Sequence, residues 1–188
     1  MRRVAGLLLA AGAGRRYGQP KALVAGGEWL RHAVDALAAG GCDPVRVVFG
    51  ARADEAAELL PSPGLAVVAE HWEAGISASL RAGLAVLTRL DPRPEAAVVH
   101  LVDLPDVGPE VVRRLVELAA PGAVARATYR GRPGHPVLLG RDHWAAVAEA
   151  ASGDRGAKQW LAGRPDLREV ECADLATGQD HDTPQPLA

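Results

Sequence analysis

An apolar run, Val4 to Leu9, empties directly into the loop Leu9-Ala10-Ala11-Gly12-Ala13-Gly14-Arg15-Arg16-Tyr17-Gly18-Gln19-Pro20-Lys21, and this junction restricts the fold more than any other stretch. The run is too short to span a bilayer, and no small-residue cleavage site follows it. It reads as a buried strand. Gly12, Gly14 and Gly18 allow positive φ and close approach to a ligand, and consecutive exposed N–H groups in such a loop can form an anion-binding nest. Arg16 and Lys21 add cationic donors. Only Lys21 and Lys158 are lysines among the 21 basic residues, so a compact ammonium in this loop points to a point-charge role at a phosphate. Two familiar phosphate loops are excluded by spacing. Gln19-Pro20 separates Gly18 from Lys21 where a P-loop needs a Gly-Lys pair, and Tyr17 stands where the dinucleotide fingerprint needs its third glycine.

Beyond the loop, short apolar runs alternate with amphipathic stretches. Residues 45–49, 66–69, 97–102, 123–128 and 167–172 read as further strands, and residues 29–39, 53–60, 77–90, 109–119, 142–151 and 155–162 as helices. This rhythm predicts an α/β, Rossmann-like fold in one domain, residues 1–188, with a mainly parallel sheet and helices on both faces. Hydrophobic residues make up 48% of the chain but aromatics only 4%, which suits a core of Ala, Val and Leu. Residues 130–139, with a Gly/Pro-rich start, predict a small antiparallel edge insertion.

A net charge of -2 offers no field to gather nucleic acid or an anionic membrane. Cys42 and Cys172 lack metal or redox spacing, so a reducing, cytoplasmic setting fits. Charge is nonetheless uneven. Residues 1–21 hold Arg2, Arg3, Arg15, Arg16 and Lys21 with no acid, whereas 166–188 hold six acids against Arg168 alone. Ligands of open α/β sheets bind beyond the carboxyl ends of the strands, where these segments can meet around a polyphosphate and its metal. Asp103, directly after a buried strand and in an Asp-x-Pro context, is the expected Mg2+ ligand, with Asp106 as a helix cap. Ser77, Ser79 and Leu80 lie at a predicted helix start, where hydroxyl and backbone groups can read a base edge or Ser77 can simply cap the helix. His135 before Pro136 suits either an acceptor-facing loop or a structural place. His71-Trp72-Glu73 lacks the P-C-x-x-C partner of a zinc deaminase, and no H-E-x-x-H or G-x-S-x-G occurs.

The first loop resembles the L-A-A-G-x-G-x-R-apolar-G-x-x-K signature of the molybdenum cofactor nucleotidyltransferases and the wider sugar- and alditol-phosphate nucleotidyltransferases. In order along the chain, residues 71–81, Val102 to Asp106, Gly134-His135-Pro136-Val137, Ser152-Gly153-Asp154-Arg155-Gly156 and Asp180 to Pro184 are similar to blocks of the cytidylyltransferase branch. Tyr17 replaces the usual methionine, Leu104 a frequent glutamine, and Gln185-Pro186 an acidic pair. The resemblance implies that Leu9, Ala10, Ala11, Gly12, Gly14 and Lys21 hold the nucleotide, that the segment carrying Ser77, Ser79 and Leu80 holds the base, and that Asp182 joins Asp103 on Mg2+. Ala11 matches the form linked with cytidine use. The implied reaction is transfer of CMP from CTP to the phosphate of molybdopterin with release of pyrophosphate, assisted by Lys21, Arg16 and Asp103, and serving a molybdoenzyme client. Alternatives are a GTP donor, a sugar- or alditol-phosphate acceptor, or a cofactor-delivery protein that binds nucleotide without transfer.

Overall fold

The computed structural model describes residues 3–14 and 17–181. Arg2, Arg15, Arg16 and Asp182 lie outside the described residues. Seven strands, β1 (Val4–Ala10), β2 (Val45–Phe49), β3 (Ala66–Val68), β4 (Ala96–Leu101), β5 (Val124–Tyr129), β6 (Arg132–Gly140) and β7 (Arg168–Glu171), form one sheet in the order β3-β2-β1-β4-β6-β5-β7. All neighbours are parallel except β6, which runs antiparallel to both β4 and β5.

Alternation along β1 divides the core. Val4, Leu8 and Ala10 face one side, where α1 (Glu28–Ala39) sets Leu30, Ala33, Val34 and Leu37 against the sheet, joined by Val111, Val112 and Leu115 of a helix at Pro109–Val116. Ala5, Leu7 and Leu9 face the other, covered by Leu80, Leu84 and Leu87 of the helix Ile76–Thr88 and by Trp144 and Val147 of Trp144–Ala150. Short helices at Ala53–Ala57 and Lys158–Leu161 complete the set. Among the described residues the six α-helices are, in chain order, α1 (28–39), α2 (53–57), α3 (76–88), α4 (109–116), α5 (144–150) and α6 (158–161). Spacings of three and four along α1, α3 and α4 are the stripe that burial requires. Fully enclosed leucines such as Leu8, Leu30, Leu84 and Leu115 each contribute ~1.5–3 kcal/mol. Pro109 occupies the first turn of α4, where a missing N–H leaves no bond unmade.

The antiparallel segment is present, but it lies inside the sheet. Val137, Leu138 and Leu139 pair with β4 on one side and β5 on the other, while Pro133 and Pro136 precede the stretch paired with β4. Proline is tolerated there because no ladder donor is lost on the β4 side. The hairpin turn Arg130-Gly131, with φ of 53° and 73°, is gripped by Glu171. That carboxylate accepts N–H bonds from Arg130 at 2.8 Å, Gly131 at 3.0 Å and Ala173 at 3.0 Å, and a bond from Thr128 Oγ1 at 3.1 Å. The backbone donors hold its pKa down to about 2.

One core side chain is chemically out of place. His100 of β4 is fully enclosed, and neither ring nitrogen has a hydrogen-bond partner among the described residues. Burial pushes its pKa down to about 3, with His135 and His32 acting the same way and Asp106 opposing.

Candidate functional site

Strand order reverses between β1 and β4: the chain runs outward through β2 and β3, then returns to the other side of β1. Such a switch point opens a crevice at the carboxyl ends of the strands. The structure has a cleft of about 520 Å³ there.

One wall is the loop after β1. Gly14 has φ +60°, and its carbonyl accepts the N–H groups of Tyr17 at 2.9 Å and Gly18 at 2.8 Å, folding the loop back on itself. A Cβ at Gly14 would stand 1.8 Å from the Gln19 carbonyl oxygen, so only glycine fits. Gly18 also has positive φ. Gly12 does not, but the space beside it is open to a ligand. Past Pro20 the chain enters a 3-10 turn anchored by buried Ala22, Leu23 and Val24. Lys21 is thereby fixed at the cleft, with Nζ 2.5 Å from Asp103 Oδ2 and the two side chains only 16% and 15% exposed.

Asp103 lies just beyond β4, between buried Val102 and Leu104. Its backbone carbonyl accepts the N–H of His181 at 3.0 Å. This bond brings the acidic C-terminal segment to the β4 carboxylate, and the rings of Tyr17, Trp29 and His181 meet edge-on at 5.4 and 5.6 Å along the same seam. The chemistry fits a hard divalent ion: an aspartate oxygen beside a phosphate-sized opening, with one or two carboxylates plus phosphate oxygens being the set magnesium favours. Among the described residues no group of three or more His, Cys, Asp or Glu could hold a metal without such help.

The opposite wall comes from the start of α3. Gly75, φ +99°, precedes the helix, whose N-terminus has no side-chain cap. Ser79 and Ile76 line the cleft with Trp72, Glu73 and Asp154. Trp72 packs so tightly on Gly50 that a Cβ there would lie 2.3 Å from the indole.

Of the residues singled out from sequence, Leu9, Ala10, Ala11, Gly12, Gly14, Lys21, Ser79 and Asp103 therefore share one cleft. Ser77 and Leu80 do not line it. Ser77 is a buried second residue of α3, not its cap, and its hydroxyl has no partner among the described residues. His135 is also absent from the cleft lining. Burial pushes its pKa down to about 4, against the pull of Asp103 and in concert with Arg126. Its carbonyl accepts the Tyr129 hydroxyl at 2.7 Å. Asp106 does not cap α4, whose N-cap position is Gly108. It instead accepts the N–H and hydroxyl of Thr177, each at 2.6 Å, tethering the C-terminal segment. A second cavity of about 970 Å³ lies along that tether, lined among others by Asp106, Tyr129, Arg130, Arg132, Thr177 and Asp180.

Sequence reasoning assigns Trp72, Glu73 and Asp154 no place in the cleft that they line. The signals were the blocks at residues 71–81 and 152–156, whose resemblance is visible in the sequence but whose meeting on one face of the sheet is not.

Known proteins resemble this chain in sequence and in fold. The MobA-like NTP transferase domain matches residues 6–170. Nicotine blue oxidoreductase of Paenarthrobacter nicotinovorans is 35% identical over 196 residues, covering 98% of this chain and 94% of that protein. The crystal structure of Rv0371c from Mycobacterium tuberculosis H37Rv superposes with a TM-score of 0.78 at 28% identity, covering 97% of this chain and 94% of that one. Rv0371c in complex with manganese matches with a TM-score of 0.73 at 28% identity, over 90% of this chain and 88% of that one.

Proposed function

Given that the chain belongs to the MobA-like NTP transferase family, we propose that it is a cytoplasmic, Mg2+-dependent cytidylyltransferase that transfers CMP from CTP to the phosphate of a molybdopterin-type acceptor. The observation that supports this most is the Lys21–Asp103 pair, which joins the phosphate-type loop to a strand-end carboxylate in one cleft.

In this reading the N–H groups of the loop from Gly12 to Gly14 receive the triphosphate. Lys21 neutralises charge developing on the phosphates, and Asp103 orients the ammonium with one oxygen while offering the carboxylate to a divalent ion. Bound there, the ion would supply Lewis-acid stabilisation of the phosphate oxygens; manganese in the Rv0371c complex supports a divalent-ion requirement. Arg16 and Asp182 are proposed to assist, as a phosphate donor and a second metal carboxylate. An oxygen of the acceptor's phosphomonoester attacks the α-phosphorus in line and pyrophosphate leaves. That nucleophile is already anionic near neutral pH, so positioning and charge stabilisation carry the rate. The second cavity, with Arg130 and Arg132 in its lining, has room for an anionic acceptor, and His135, outside that lining but on the same strand β6, is proposed to contact the acceptor.

The test is thermal unfolding with CTP, GTP, ATP and UTP, with and without Mg2+, followed by pyrophosphate release with molybdopterin. A nucleotide at ~100 times its Kd adds about 2.7 kcal/mol of stability. The largest shift is expected for CTP with Mg2+, and no shift with any nucleotide at millimolar concentration defeats the proposal. A GTP preference would move the donor assignment, and transfer to sugar phosphates the acceptor.

A second reading is favoured by the 35% identity to nicotine blue oxidoreductase: a redox activity in the same cleft. Bleaching of nicotine blue by NADH or NADPH, with no pyrophosphate release from CTP, would select it. The absent dinucleotide fingerprint weighs against it.

A further inference from the structure

The turn Gly153-Asp154-Arg155 enters the cleft from the face of the sheet that α3 and α5 cover, and nothing in the phosphate or metal chemistry uses it. It is held firmly. Arg81 of α3 donates to the Ala151 carbonyl at 2.7 Å, and the Arg155 N–H closes the turn on the Ser152 carbonyl. The turn also presses on Gly75: a Cβ there would lie 2.5 Å from Asp154 Oδ1 and 2.6 Å from the Gly153 carbonyl carbon. A side chain at position 75 would displace the aspartate, so glycine keeps the carboxylate where it is.

That carboxylate has no hydrogen bond or ion pair among the described residues. Placed near the start of α3, it complements the helix dipole, but α3 has no side-chain cap, so Asp154 leaves its acceptor capacity unspent on the helix. It opens onto the cleft instead.

The two walls differ in charge: the backbone donors after β1 and Lys21, paired with Asp103, line one, and Glu73 and Asp154, with no cation beside them among the described lining residues, belong to the other. A triphosphate is drawn to the first and repelled from the second, so its nucleoside lies toward Asp154. An ionised carboxylate only accepts hydrogen bonds. We propose that Asp154 is a specificity residue whose carboxylate accepts hydrogen bonds from N–H or O–H donors of the bound nucleoside, either ribose hydroxyls or a base amino group. The inference rests on the nucleotidyltransferase reading of the same cleft.

The experiment measures Kd by calorimetry for the full chain and for Asp154→Ala, with Mg2+ and four ligands: CTP, 2′-deoxy-CTP, 3′-deoxy-CTP and the CTP analogue without its 4-amino group. Asp154→Ala is expected to bind CTP about 10- to 100-fold more weakly, the loss of a hydrogen bond to a charged acceptor. The two proteins should converge on the analogue that lacks the recognised donor, which assigns that donor to ribose or base. Asp154→Asn, which keeps an acceptor oxygen, should fall between them. Unchanged or tighter CTP binding by Asp154→Ala overturns the inference, and so does an equal loss for all four ligands, which would mark a merely structural or long-range effect. If the unaltered protein binds none of the four, the nucleotidyltransferase reading fails and the inference falls with it. The ligand-free unfolding midpoint of each variant checks that the exposed substitution leaves the fold intact.

Discussion

His100 makes the stability of this protein depend on pH in a way that one substitution should remove. Its pKa, about 3 in the folded chain, is near 6.5 in an unfolded one. Between those values the unfolded chain binds a proton that the folded chain refuses, so stability rises with pH across this window. The penalty is absent above about pH 7, grows as pH falls, and has a limiting slope of about 1.4 kcal/mol per pH unit. At pH 5 it amounts to about 2 kcal/mol. His100→Leu deletes the titrating group and two unpartnered ring nitrogens while keeping an apolar body against Leu8, its neighbour in the β1–β4 register. Replacing an unsatisfied buried polar group by an apolar one of similar size is near neutral or stabilising. Urea unfolding of both proteins at pH 7.5, 6 and 5 should therefore show the variant at least as stable at pH 7.5, with its advantage growing by about 2 kcal/mol at pH 5. Carboxylates that titrate in the same range are common to both and cancel in the difference. Parallel stability curves would mean that His100 ionises freely when folded. A marked loss at pH 7.5 would mean that the ring holds the core together through bonds to buried water.

Two further outcomes bear on the site. Lys21→Ala is expected to lower turnover roughly 10²- to 10³-fold, about 3–4 kcal/mol of transition-state stabilisation, with a native circular dichroism spectrum; near-normal turnover would take Lys21 out of the mechanism. Gly75→Ala places a Cβ at φ +99° against Asp154 and Gly153. It should cost ~1–3 kcal/mol in thermal unfolding, and an unchanged midpoint would show that the turn at 152–156 gives way easily.

The legible parts of this protein are those whose physics is local. A buried strand emptying into glycines, and helices with stripes at three and four residues, are specified within a dozen positions, and the strands and the loop carrying Lys21 lie where such patterns place them. Asp103 was legible because a carboxylate just after a buried run must emerge at the carboxyl edge of the sheet. What failed was whatever depended on which strands become neighbours. The prolines of β6 suggest an edge, yet they fall just outside the stretch bonded to β4, so an interior strand carries them without loss. Ser77 looks like a cap when the helix is taken to begin at it. Gly75, whose backbone conformation excludes other residues, begins it two residues earlier and turns the hydroxyl inward.

Asp154 belongs to the same class. In sequence it is an acid in a Gly-Asp-Arg-Gly turn some fifty residues beyond the strand-end carboxylate of Asp103, with nothing nearby to give it work. It reaches the cleft only because α5 packs on the face that α3 covers, which returns the chain to the start of α3, where Gly75 leaves room for it. The end proposed to hold the phosphates is thus written in one continuous segment, the loop of glycines and cations after β1. The end proposed to hold the nucleoside is assembled from α3 and a turn that precedes α6. If Asp154 reads the nucleoside as proposed, substitutions in the 152–156 turn should change nucleoside selectivity while leaving the Lys21–Asp103 pair as it is.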